Sequence, residues 1–142
     1  MRRRLDSFAI SDSDRFPVEL GKPDLKLIIA EDNDRMRELL RTLCAGPDDE
    51  VIECVNGVET VAAYDLHQPD LVLMDLNMPE LDGFGAMKSI LARHPEARIV
   101  VVSGRPESEY RDEVRAAGAA DFVSKEDLLR LPRILRTEKK SM

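Results

Sequence analysis

Aromatic side chains are scarce in this chain. They make up 4% of its 142 residues, and tryptophan is absent. A core must therefore be built from Leu, Val, Ile, Ala and Met. Cysteine is scarce as well. Cys44 and Cys54 are the two present, and neither falls at metal-ligand spacing from His67 or His94. That excludes a disulfide framework and reads as a pair of small buried residues in a reducing compartment. No apolar run approaches the ~18 residues that a membrane helix needs. Arg2-Arg3-Arg4 is not followed by an apolar stretch, so the start does not read as a secretory signal. A basic excess is also missing. The formal net charge is −7, which argues against direct nucleic-acid binding, because that needs a basic face.

What is present fits one domain with one core. Hydrophobic residues form 43% and charged residues 35%, a soluble globular balance. Residues 1–24 read as a flexible extension, with mixed charge, no periodicity and Pro17, Gly21 and Pro23 as punctuation. Residues 25–136 read as the domain, and 137–142 as a tail. Leu25–Ala30 is a short apolar run of the buried-strand kind. Met36, Leu39, Leu40 and Leu43 then repeat at helical spacing, up to Gly46-Pro47. Val51–Val55 is a weaker strand, and Asn56-Gly57 leads into a helix whose apolar positions are Val58, Val61, Ala62 and Leu66. Asp70–Asp75 is the clearest strand, followed by a helix marked by Phe84, Met87, Ile90 and Leu91. Arg98–Ser103 is a fourth strand, and Tyr110, Val114 and Ala117 give the next helix a thin apolar face. Ala120–Ser124 is a fifth strand. The last helical segment runs from Leu128 to Leu135, with Pro132 placed in its first turn. Strand and helix alternate five times, which implies an α/β fold with a parallel sheet covered on both faces.

Ligands in such folds gather outside the C-terminal ends of the strands. Glu31 and Asp32 stand there after the first strand, Asp75 and Asn77 at the third, Ser103 and Gly104 at the fourth, and Lys125 after the fifth. Each has a bland explanation taken singly. An acidic pair after a strand is often a helix cap, for example. Capping alone does not put acids, a hydroxyl and an amine at the same end of four strands. Clustered carboxylates ask for a cation, and an all-oxygen set suits magnesium. Asp75 could then act as a nucleophile, with an aspartyl phosphate as product. Lys125 and Ser103 would stabilise phosphoryl oxygens, since this chemistry needs chiefly positioning and charge.

Glu31-Asp32, the stretch Asp75-Leu76-Asn77-Met78-Pro79-Glu80-Leu81-Asp82-Gly83, Ser103 and Lys125 together resemble the receiver domains of two-component response regulators. The resemblance spans about residues 25–135. It implies a flavodoxin-like (βα)5 three-layer sandwich with strand order 2-1-3-4-5. It implies phosphorylation at Asp75, with a histidine kinase or a histidine phosphotransfer protein as donor. Magnesium would be held by Asp32, Asp75 and the Asn77 backbone carbonyl, with Glu31 acting through water. Ser103 and Phe122 would form the switch pair, the ring turning inward after phosphorylation. A downstream protein would read the face made by the fourth helix, fifth strand and fifth helix. Asn77 and Arg105 are candidates for setting the rate of dephosphorylation. The resemblance further implies a cytoplasmic protein that catalyses only its own phosphorylation and dephosphorylation, without direct nucleic-acid or membrane contact. Homodimer formation is left open.

Lys125 is followed by Glu126 where many receivers have proline, and Gly118–Leu128 is similar to receivers that precede a helix-turn-helix output domain. A receiver fragment of a DNA-binding regulator is therefore an alternative. A haloacid-dehalogenase-like phosphohydrolase is another. Asp75 falls on the third strand rather than the first, however, and position 77 is Asn where a second acid would be needed. A degenerate receiver would lack some of the five expected side chains, and all are present.

Overall fold

A computed structural model describes residues 24–140 of the chain. The extension read over 1–24 therefore lies, apart from Asp24, outside the described residues. The five strands are β1 (Lys26–Ala30), β2 (Glu50–Cys54), β3 (Leu71–Asp75), β4 (Ile99–Ser103) and β5 (Asp121–Ser124). They form one parallel sheet in the order β2-β1-β3-β4-β5. The helices between and after them are α1 (Asp34–Cys44), α2 (Gly57–His67), α3 (Gly83–Arg93), α4 (Glu107–Ala116) and α5 (Leu131–Lys140). A 3-10 stretch, Lys125–Arg130, leads from β5 into α5 and leaves Pro132 in the first turn of that helix.

Successive side chains on a strand point to opposite faces, so the sheet divides the core in two. Ile28, Val72, Met74, Ile99 and Val101 face α2, α3 and α4, where Tyr64, Met87, Ile90 and Val114 close the layer. Leu27, Ile29, Leu71, Leu73, Val100 and Val102 face the other way, onto Leu40, Cys44, Leu131 and Leu135 of α1 and α5. With both faces covered, β3 and β4 are buried along their whole length. Both cysteines are buried and free, and burial pushes the Cys54 thiol up to about 11.

The helix faces depart from the sequence reading in two places. On α1, Leu39 is exposed and Cys44 takes its place against the sheet. On α2, Val58, Ala62 and Leu66 face outward, and the buried positions are Gly57, Thr60 and Tyr64. This helix packs on α3, and its first turn lies against the loop after β3. A side chain at position 57 would collide with the Leu81 backbone, so only glycine fits the contact. Tyr64 stacks at a tilt on His94, 4.8 Å between ring centres, and Asp65 pairs with Arg93 and His94. These contacts outweigh the apolar count and fix the rotation of α2.

Candidate functional site

The rim at the C-terminal ends of the strands gathers the residues read from the sequence. Glu31 follows β1, Asp75 ends β3, Ser103 ends β4 and Lys125 follows β5. Glu31, Asp75 and Ser103 are 1%, 4% and 0% exposed, whereas Asp32 is exposed. A helix-cap role for Asp32 is ruled out by the geometry. Asn33 is the N-cap of α1, and its side chain accepts from the Met36 backbone N–H at 2.9 Å. Capping is therefore done by the neighbour, and Asp32 is left over for other work.

The charges of the rim are incompletely paired. Lys125 Nζ stands 2.9 Å from Glu31 Oε1 and 3.4 Å from Asp75 Oδ1. One ammonium is thus in ion-pair range of two buried carboxylate oxygens, which have no other partner among the described residues. The pKa of Asp75 is raised to about 6, first by burial and then by the negative charge of Glu31. The Lys125 charge and the Asn77 backbone N–H work against that rise. Burial disfavours the Lys125 ammonium, yet its contacts with Glu31 and Asp75 more than offset this and hold its pKa above the ordinary lysine value. The rim thus sets two buried acidic side chains around one ammonium, with the exposed Asp32 beside them.

That arrangement fits a divalent cation. Glu31, Asp32 and Asp75 can each turn one oxygen to a common point, the three lying within 4.8 Å of one another. The oxygens of Glu31 and Asp75 that share one ammonium supply what a hard cation takes as ligands. The set is all oxygen, as magnesium prefers.

The loop after β3 completes the wall. It turns back so that the Gly83 backbone N–H donates to the Leu76 carbonyl at 3.0 Å. A side chain on Gly83 would strike the Asp75 carbonyl, which explains a glycine directly after the α3 cap, Asp82. Leu76, Asn77, Asp82, Phe84, Ser103, Arg105 and Tyr110 line an adjoining cleft of about 190 Å³. Ser103 Oγ accepts from the Arg105 backbone N–H at 3.1 Å, which leaves the hydroxyl its donor capacity. The Arg105 guanidinium lies over the Tyr110 ring, 5.3 Å from its centre. Phe122 is not on the rim; its ring is 4% exposed and packed in the core on the α3 and α4 side.

Sequence reasoning passed over Arg37 and Glu53. The Arg37 guanidinium donates to the Glu31 carbonyl, to Glu53 and to Asp34. The pKa of Arg37 is raised by Glu53 first and Asp34 second, and that of Glu53 is lowered chiefly by Arg37. The i,i+3 spacing of Asp34 and Arg37 was the one trace of this in the sequence.

A parallel α/β sheet in this order, with acids, a hydroxyl and an amine meeting at its C-terminal rim, defines the class of phosphoryl-accepting signalling domains. The response regulator receiver domain family matches residues 27–136, and the chain belongs to it. The chemotaxis protein CheY of Listeria monocytogenes is 36% identical over 102 residues, 71% of this chain and 86% of that protein. CheY of Thermotoga maritima is 37% identical over 101 residues, 70% and 84% of the two chains. Among solved structures, the receiver domain of AraT, a response regulator from Geobacillus stearothermophilus, superposes with a TM-score of 0.74 at 28% identity, covering 82% of this chain and 94% of that one. The receiver fold and its flavodoxin-like strand order are as the sequence implied, and so is a role as a phosphorylation-dependent signalling module.

Proposed function

We propose that Asp75 is the phosphoacceptor of this receiver and that Asp32, Asp75 and the Asn77 backbone carbonyl hold magnesium, with Glu31 acting through water. The observation that carries the reading is the pair of buried oxygens on Glu31 and Asp75 that share the single Lys125 ammonium and have no other partner among the described residues. Above pH ~6 the Asp75 carboxylate is ionised and available to attack phosphorus. An Asp75 oxygen forms the new bond to the phosphoryl group while the bond to the donor breaks, and the donor leaves with the electron pair. A histidine kinase or histidine phosphotransfer protein is the donor in this reading. Bound magnesium supplies charge neutralisation at the phosphoryl oxygens. Lys125 moves its ammonium from the carboxylates toward one phosphoryl oxygen, and the Ser103 hydroxyl donates to another.

Ser103 and Phe122 act as the switch pair. Engagement of Ser103 at the end of β4 biases the packing of Phe122 on the neighbouring strand, and with it the face of α4, β5 and α5. A downstream protein reads that face. Arg105 and Asn77, on the cleft beside Ser103, control water access and so the lifetime of the phosphoryl group. The module works in the cytoplasm and catalyses only its own phosphorylation and dephosphorylation.

Intact-mass spectrometry after incubation with acetyl phosphate and magnesium tests this. One phosphate adduct is expected on the wild type, dependent on magnesium and missing in Asp75→Ala. An adduct that persists in Asp75→Ala, or no adduct where a control receiver is labelled, would reject Asp75 as acceptor.

A further inference from the structure

Beside the acidic rim, on the α1 side of the sheet, lies a second charged cluster made of Asp34, Arg37 and Arg41 on α1 and Glu53 on β2. Its centre is the Arg37 guanidinium, which is 14% exposed and serves three acceptors at once. Nε donates to Glu53 Oε1 at 2.8 Å and Nη2 to Asp34 Oδ1 at 2.7 Å. Nη1 donates to the backbone carbonyl of Glu31 at 2.9 Å. Arg41 holds the other oxygen of Glu53 at 2.6 Å, so the carboxylate that orients the fork is itself anchored.

The bond to a neutral backbone oxygen is what a plain ion-pair strap between helix and strand would not need. The Glu31 carbonyl belongs to the peptide that joins Glu31 to Asp32. A peptide unit is planar, so fixing its oxygen fixes the Cα atoms of both residues. Other contacts hold the same turn: the Glu31 backbone N–H donates to the Cys54 carbonyl, and Glu31 Oε2 accepts from the Asn33 N–H. Asp32 itself is exposed and takes its place from the backbone that carries it.

We propose that Arg37, backed by Glu53, is a positioning residue for the cation site, holding the peptide that presents Asp32 beside Asp75. The inference rests on the reading of Glu31, Asp32 and Asp75 as a magnesium site. Groups that orient metal ligands typically change affinity by ~10–100-fold when they are removed. The planar fork matters as much as the charge. A lysine ammonium is a point charge on a flexible stem and cannot serve three acceptors in these directions.

The test is a magnesium titration of the full 142-residue chain, followed at the backbone amide resonances of Asp32 and Asn33. Wild type, Arg37→Lys, Glu53→Gln and Asp32→Ala are compared, each with its urea midpoint. Arg37→Lys is expected to raise the magnesium Kd about tenfold, and Glu53→Gln to raise it by less. If wild type binds, Asp32→Ala does not, and Arg37→Lys binds with the wild-type Kd, then Arg37 is only a strap and the inference is overturned while the site stands. If Arg37→Lys does not fold, Glu53→Gln decides, and a wild-type Kd there overturns the inference. If wild type shows no magnesium binding, the reading of the rim falls and the inference falls with it.

Discussion

From Leu71 to Met74 strand β3 is apolar and dry, and the next residue, Asp75, is a carboxylate almost as deeply buried. The same change occurs at the end of β1, where Ala30 is followed by Glu31, and within β4, where Val102 is followed by Ser103. The strand bodies follow the rule for interiors: apolar side chains, close-packed, with nothing left unpaired. The strand ends break it, because Glu31 and Asp75 each keep a buried oxygen whose only partner among the described residues is one shared ammonium, that of Lys125. Thr60 shows what the fold does with a buried polar group that has no chemistry to perform. Its hydroxyl donates to the Asn56 carbonyl at 2.7 Å and is satisfied within its own helix. The difference teaches that the rim is held by the surrounding packing rather than by its own interactions. Underpaired buried charges of this kind are what functional sites retain.

Substitutions on the two sides of that boundary should behave differently. In the strand body, Leu73→Ala empties a fully buried position between two helices. It is expected to lower the unfolding free energy by about 3–4 kcal/mol in a urea titration. A loss below about 1 kcal/mol would mean the core relaxes around the cavity and that strand bodies are not the rigid support assumed here. At the strand ends, Lys125→Met removes the one cation that, among the described residues, pairs with both Glu31 and Asp75, and leaves two carboxylates facing each other. The expected cost is about 2 kcal/mol at pH 8, less than for a fully buried pair because Lys125 keeps some exposure. It should shrink toward pH 5 as Asp75 takes up a proton. A cost that did not change with pH would show that Lys125 contributes packing rather than charge.

The strands were legible in the sequence, because two-sided burial forces continuous apolar runs such as Leu71–Met74 and Ile99–Val102. So were the rim residues, since each occupies a chain position fixed by the end of such a run. The rotation of α2 was not legible. Val58 and Leu66 look like core in one dimension. The helix is instead rotated by the contact of Gly57 with Leu81 and of Tyr64 with His94, both of which cross between distant segments. Nor was the Arg37 cluster, because Glu53 reaches it from another strand and the decisive acceptor is a backbone oxygen with no sequence signature.

Asp75 is kept as a buried carboxylate against the stability of the fold. The most direct measurement is the unfolding free energy of wild type and Asp75→Asn from pH 4 to pH 8, without magnesium. The folded pKa of Asp75, about 6, lies above the unfolded carboxylate value, so its ionisation costs stability as the pH rises through this interval. Nearly equal stabilities are expected at pH 4, and a variant more stable by about 2–3 kcal/mol at pH 8, where the cost is complete. A variant no more stable than wild type at pH 8, or one that gains only at low pH, would contradict it.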